Sequence, residues 1–239
     1  MSKYGVFITS AANAKFSKYT PEERVEQTIK TIESIRDKIP NAVICMTDCS
    51  VPAIDDELKK KFSSLVDHFV NMGNDQTVNW IHDNIQHQDT VKNLTELVVA
   101  NKFFKIANQN KWFDDCDRVF KVSGRYWLTD RFDITRYEQP DAKGKYVVSK
   151  KMLSQFSKDL TGQSLQYMLR VYSMDKSLLE DFETRLTTMI NHMQEKVNQG
   201  KYIDIEHLFC KFLPKSQTLE IARTGVAGYV APNGQWIEN

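Results

Sequence analysis

The sequence predicts an α/β fold, with a mixed, mainly parallel sheet flanked by helices. Short apolar runs alternate with segments of helical period, the pattern of βαβ units. A central apolar run, Arg118 to Val122, breaks at Ser123-Gly124, as a strand does where it opens onto a crevice. No stretch rich in Gly, Ser or Pro interrupts the chain, so one unit over residues 1–239 is expected.

Tyr4 to Ser10 reads as the first buried strand, and Ala11 to Tyr19 as a loop of small and polar residues. Thr20-Pro21-Glu22-Glu23 is a helix start: a cap, Pro at the first helical position, and Glu three residues after the cap. Val25, Ile29, Ile32 and Ile35 give that helix its apolar face, and Pro40 ends it. Ala42 to Met46 is a second strand, Pro52 to Val66 a second helix, and His68 to Met72 a short third strand. Asp75 to Asn110 is helical in two pieces, the second carrying Leu94, Leu97, Val98, Phe103, Phe104 and Ile106. Right-handed crossovers between these strands give a nucleotide-binding half over residues 1 to about 130. In the second half, Tyr146 to Ser149 and Tyr167 to Ser173 read as strands, with loop or short helix between them. Asp175 to Val197 is a long helix stopped at Gly200, and Tyr202 to Leu213 a short one. Thr218 to Ala222 and Val226 to Val230 make a last pair of strands, with a turn at Pro232-Asn233-Gly234.

At 239 residues, 41% hydrophobic and 26% charged, the chain has an ordinary globular composition. A net charge of +1 gives no support to binding nucleic acid or a membrane surface. Cys45, Cys49, Cys116 and Cys210 complete no zinc-ligand pattern and read as reduced thiols, so a cytoplasmic location is expected. No signal peptide and no membrane span are evident.

The phosphate loops of NTPases and dinucleotide enzymes are absent, as are the nucleophile elbow and the zincin helix. The candidates are instead dispersed. Thr9 and Ser10 end the first strand with residues small enough for a base or ribose to lie against the backbone; a tight connection is the other use. Asp48 ends the second strand, where it accepts from ribose or a base, or else shares with Ser50 the capping of the next helix. Lys92 and Glu96 lie four apart on a helix start with Asn93, on the donor side or simply as an exposed ion pair. Lys121, Ser123, Gly124, Arg125 and Tyr126 surround the central strand end, where Lys and Arg can meet an anion. Asp115-x-Asp117 has the D-x-D form by which sugar-diphosphate enzymes hold a metal, but it precedes its strand and so reads as loop acids. Asp204, Glu206 and His207 open a short helix. A carboxylate there is either a base for an acceptor hydroxyl or a partner of the helix dipole.

Several of these segments together resemble one group. Pro21-Glu-Glu-Arg24, Gln27-Thr28, Thr31-Ile32, Ser34-Ile35-Arg36 and Ile39-Pro40-Asn41-Ala42 are similar to the opening of small bacterial and viral glycosyltransferase-like proteins with a nucleotide-diphospho-sugar (GT-A) fold. Phe120-Lys-Val-Ser-Gly-Arg-Tyr126 resembles their K-x-S-G-R-Y signature. Ile205 to Phe209 and Gly225 to Gly234 resemble their C-terminal landmarks. The resemblance implies a GT-A-like fold, with residues 1–130 holding the nucleotide sugar and 131–239 the acceptor. It implies a glycosyltransferase using UDP- or another NDP-sugar, with a glycan, lipopolysaccharide-type or other hydroxyl acceptor; modified phage DNA is a further acceptor, disfavoured by the charge. Thr9, Ser10 and Asp48 would line the nucleotide, and the strand ending at Ser123 would reach the diphosphate. The missing D-x-D at that strand end puts dependence on manganese or magnesium in question. Lys121 and Arg125 would then neutralise the leaving nucleoside diphosphate, while Glu206 or Asp204 activates the acceptor, with His207 beside them. The alternative is a non-catalytic nucleotide-sugar or glycan-binding protein on the same fold. A nucleotidyltransferase would want a Gly-rich basic loop after the first strand, where the sequence supplies only Lys15.

Overall fold

Strand β1 (Tyr4–Ser10) lies inside the main sheet and is covered on both faces, with Val6, Phe7 and Ile8 fully buried. The structure, a computed structural model, describes residues 3–230 and 234–239. The expected turn at Pro232-Asn233 lies outside the described residues. Helix α1 (Pro21–Lys38) starts with Thr20 as its cap. The Thr20 hydroxyl accepts from the Glu23 amide, and Glu23 returns the bond to the Thr20 amide. Strand β2 (Val43–Asp48), helix α2 (Asp56–Leu65) and strand β3 (His68–Asn71) follow, then helices α3 (Gln76–Asn84) and α4 (Gln88–Gln109). The chain continues through β4 (Arg118–Ser123), β5 (Tyr126–Leu128), β6 (Tyr146–Ser149), β7 (Met152–Leu153), α5 (Lys158–Thr161) and β8 (Leu165–Gln166). It closes with β9 (Val171–Asp175), α6 (Leu179–Asn198), α7 (Ile205–Phe212), β10 (Thr218–Ile221), β11 (Val226–Tyr229) and β12 (Trp236–Glu238).

The seven-stranded sheet has the order β10-β6-β9-β4-β1-β2-β3. β9 runs antiparallel to both β4 and β6, and the other pairings are parallel. Register places Thr9 beside both Thr47 and Ser123, so the carboxyl ends of β1, β2 and β4 finish at one level. Loops that leave this edge can therefore converge, and it is the edge where open α/β sheets bind ligands. One core layer packs β1 and β4 against α4, α6 and α7 through Phe7, Phe103, Phe104, Phe182 and Phe209. The other packs Val6, Ile8, Ile44 and Phe120 under α1. Phe7 and Phe103 stack at 3.8 Å between ring centres; truncating either ring to Ala costs ~3–5 kcal/mol.

Several elements differ from the sequence reading. The second helix begins four residues later than expected, capped by Asp55 rather than Asp48 or Ser50. Of the expected strand Tyr167 to Ser173 only Val171 to Ser173 is strand, in the reversed β9, and β8 lies just ahead of it; Lys150 to Gln163 holds the short helix allowed there, α5, together with the unexpected β7. β10 and β11 do not pair with each other. β10 extends the main sheet, whereas β11 joins β5 and β12 in a three-stranded sheet. Among the described residues no helix is long and apolar enough to cross a membrane.

Candidate functional site

The β4 strand end is shaped by a close approach. Gly124 donates its amide to the Thr9 carbonyl at 2.7 Å, and its own carbonyl lies 3.0 Å from the Thr28 hydroxyl. A side-chain carbon at 124 would sit 3.0 Å from Thr9 O and 3.2 Å from Thr28 Oγ1. Glycine is therefore demanded here by contact with β1 and α1 rather than by a left-handed backbone. The tight turn swings Arg125 away from the strand and across the sheet edge.

Beyond this turn is a cavity of about 150 Å³. Its wall is made by Thr9, Ser10 and the following loop to Ser17, by Arg24 of α1, by Cys49 after β2, by His82 of α3, by residues of α4 between Val91 and Val99, and by Ser123 to Arg125. Eight buried side-chain nitrogen or oxygen atoms among the described residues lack a hydrogen-bond partner. Five of them, Arg24 Nη1, His82 Nδ1, Lys92 Nζ, Thr95 Oγ1 and Arg125 Nε, belong to residues of this one wall. Such groups are costly to bury unpaired, and their concentration at a cleft marks a place that expects polar company.

The cations there crowd one another. Arg24 is 8% exposed, and its Nε donates to the Ala11 carbonyl at 3.1 Å. Burial, followed by the charge of Arg125, lowers the Arg24 guanidinium to about 10. Burial also lowers Lys92, and Arg125 and Arg24 add to it; Asp89, at 3.8 Å from Nζ, opposes the shift. Arg170, preceding β9, faces the same turn. Its guanidinium and that of Arg125 both lie over the Tyr126 ring, at 5.6 and 5.2 Å. Burial works against ionising the Tyr126 phenol, but the two arginines beside it bring it below the usual tyrosine value. Three positive side chains from α1, α4 and the β4 turn thus face a volume whose one acid, Glu96, is already engaged.

The site differs from the sequence reading in several ways. Lys121 is 1% exposed and turns toward α4, where it pairs with Glu96 and donates to Ser123 Oγ at 2.9 Å. It does not line the cavity. Lys92 and Glu96 consequently form no pair, because Glu96 belongs to Lys121 and Lys92 is nearest Asp89. Asp48 is fully buried with both oxygens committed, one to the Ala12 amide and one to the Ser50 amide, each at 3.0 Å. It shapes the loop after β1 and, being fully buried, does not reach the cavity wall. Thr9 and Ser10 line the cavity as expected, while Tyr126 lies beneath Arg125.

The acids of α7 take separate parts. Asp204 caps the helix, its Oδ1 accepting from the His207 amide at 2.9 Å, and it also bonds His207 Nδ1. His207 is fully buried, with Nε2 2.7 Å from Ser154 Oγ. Both residues are thus buried and tied to each other through Asp204 Oδ1. Glu206 alone of the three is half-exposed. Burial, then the charges of Asp204 and Glu96, push its carboxyl up to about 8.

Sequence reasoning missed Arg24 and Arg170. Arg24 carried a signal: with Gln27, Thr28 and Thr31 it forms a polar stretch of the buried stripe that continues into Ile32 and Ile35. A stripe that is polar only near the helix start points to a ligand edge. Val25 and Ile29, read as inward, are only half-buried. Asp115 and Asp117 are exposed at the opposite end of β4, as their order in the chain requires. Among the described residues no group of three or more His, Cys, Asp or Glu is placed to hold a metal ion. The β4 strand end, carrying Ser123 and Arg125, offers no acidic ligand to one.

No family model matches the sequence and no curated protein matches it. Solved structures do. The chain is similar to the galactosyltransferase LgtC in complex with donor and acceptor sugar analogues, with a TM-score of 0.59 at 11% identity over 96% of this chain and 88% of that one. It is similar to core-mannan synthase A of Aspergillus fumigatus in its manganese and GDP form, with a TM-score of 0.55 at 9% identity over 95% and 74% of the two chains. An active-site mutant of LgtC gives 0.55 at 10% identity over 90% and 72%. The fold is therefore the GT-A fold of nucleotide-sugar glycosyltransferases.

Proposed function

We propose that this protein is a glycosyltransferase that takes a sugar from a nucleoside-diphosphate donor and passes it to a hydroxyl acceptor, without a divalent ion. The observation that carries this is the convergence of Arg24 Nη1, Lys92 Nζ and Arg125 Nε on one cavity at the carboxyl ends of β1 and β4, all buried and without a hydrogen-bond partner, Lys92 having only a long 3.8 Å ion pair with Asp89. A diphosphate supplies the missing partners, and Arg forks suit its oxygens. When the bond from the sugar C1 to the diphosphate oxygen breaks, the leaving group gains a negative charge. Fixed cations that hold the departing diphosphate more strongly than the intact donor lower that barrier. In core-mannan synthase A the structure contains manganese with GDP; in this chain the three cations occupy that electrostatic role. Glu206, beside the Lys121–Glu96 pair, is the side chain proposed to exchange a proton with the acceptor.

A second function, donor binding without turnover, is favoured by the acids: Asp204 and His207 are sealed, and Glu96 is neutralised by Lys121. One experiment separates the two. Thermal shift is recorded with nucleoside diphosphates and nucleotide sugars, with and without manganese, followed by turnover of each binding donor in EDTA. Stabilisation of ~2.7 kcal/mol is expected at a hundred times the Kd, independent of manganese. Binding without hydrolysis or transfer selects the second function. Transfer lost in EDTA and restored by manganese refutes the metal-free proposal.

A further inference from the structure

The cavity adjoins an exposed aromatic surface that no step above uses. Trp127 of β5, Tyr229 of β11 and Trp236 of β12 pack as an inclined cluster on the three-stranded sheet, with 5.5 Å and 50° between the tryptophan rings and 5.1 Å and 67° between Tyr229 and Trp236, so that each exposed ring offers its own face. Tyr19 extends the cluster, 6.1 Å from Tyr229. Trp236 is 48% exposed and Tyr229 36%. Trp127 is buried, with the Lys30 ammonium 3.6 Å from its ring centre, and so serves as the floor. Large exposed rings are costly to leave in water and, grouped this way, mark a binding surface.

Its neighbours indicate what binds. Gly228, next to Tyr229, has its backbone against the Arg125 carbonyl: a side-chain carbon there would lie 2.4 Å from that oxygen. Tyr19 follows the cavity-lining Ser17 by two residues. Platform and cavity thus share Arg125 and the loop after β1. The exposed apolar residues Met152, Leu153, Leu160 and Leu165 are aliphatic and lie on β7, α5 and β8, which contribute nothing to the cavity wall; the rings stand beside that wall, joined to it through Arg125 and the loop after β1. Flat rings with polar handles suit a ligand with one apolar face and a wet rim. A pyranose has this character, with its C–H face lying on a ring and its hydroxyls kept in water.

We infer that Tyr229 and Trp236, floored by Trp127 and continued by Tyr19, form the subsite for a carbohydrate acceptor. This rests on the donor assignment of the adjoining cavity, and it makes the acceptor a glycan rather than a nucleic acid or a protein side chain.

The test uses the full chain on a glycan array, with Trp236→Ala, Tyr229→Ala and the ring-preserving Trp236→Phe beside the parent. Affinity for UDP and GDP is measured by calorimetry in all four. The expected result is glycan binding by the parent, a loss of about tenfold or more in each Ala variant, near-parental binding by Trp236→Phe, and unchanged nucleotide affinity. Unchanged nucleotide affinity also shows that the variants are folded. A parent that binds no glycan on the array overturns the inference, as do Ala variants that bind as well as the parent. Failure of the donor assignment has a separate signature, the absence of nucleotide binding by the parent.

Discussion

Arg24→Met separates a binding role for Arg24 from a structural one. The free protein loses one hydrogen bond, from Nε to the Ala11 carbonyl at 3.1 Å, for which a typical cost is about 1 kcal/mol. It also loses a buried charge that burial and Arg125 disfavour, as its lowered value near 10 records. The two changes oppose each other, and Met retains most of the apolar stem, so stability should stay within about 1 kcal/mol of the parent. Binding has no such compensation. A charge-assisted contact between Arg and a desolvated anion is worth roughly 2–5 kcal/mol on truncation, or about 30-fold to 4,000-fold in Kd. Urea denaturation gives the first quantity and calorimetry with UDP and GDP the second. An affinity within threefold of the parent would refute the diphosphate assignment. A large stability loss with intact affinity would show that Arg24 only fastens the loop after β1.

Three further outcomes are expected. Gly124→Ala places a methyl 3.0 Å from Thr9 O and 3.2 Å from Thr28 Oγ1; it should cost ~1–3 kcal/mol in chemical denaturation and loosen nucleotide binding, because Arg125 moves with the turn. Asp204→Ala removes the α7 cap and leaves the buried His207 Nδ1 unpaired, a combined loss of roughly 2–4 kcal/mol. Initial rates per folded molecule should hardly change, whereas a proportional loss of rate would make Asp204 the base. For Glu206→Gln the sign follows from the raised carboxyl. The folded group titrates near 8, above its ordinary 4.5, so the native state holds the extra proton between those values and parent stability falls as pH rises across that window. The Gln variant lacks this slope. If Glu206 is the base, the parent's rate climbs toward pH 8 while the variant's stays low and flat, and identical rate profiles would remove Glu206 from the chemistry.

Much of the fold was legible because its elements follow local rules. The Thr20-Pro21-Glu23 capping box, the Pro40 stop and the Val119, Phe120 and Val122 run act within a few residues, and each element forms where those signals stand. What sequence could not give was partnership. β9 is short and buried on both faces, so nothing in Val171 to Asp175 shows that it runs against β4 rather than with it. β10 and β11 are adjacent in the chain, yet Gly225, at φ 67, turns the backbone away and they enter different sheets.

The same limit governs the site, and Lys121 and Arg125 show why. Both are basic, both flank the β4 strand end, and by spacing alone either could hold a phosphate. Alternation along the strand decides between them. Lys121 shares its face with Val119 and Phe7, so its ammonium is delivered into the α4 layer, where Glu96 is the acid within reach. A buried lysine without such a partner would lose its charge, so the pair is a condition of placing Lys121 there at all. Arg125 comes after the Gly124 turn and escapes the alternation. It reaches the open edge, where Arg24 and Lys92 arrive from helices whose sequence positions lie far away. A paired cation contributes to the fold; an unpaired one raises the energy of the empty site, and an arriving dianion releases that energy on binding. The charge left unsatisfied by the fold is thus the best marker of the ligand. It can be located only after every acid has found its partner in three dimensions.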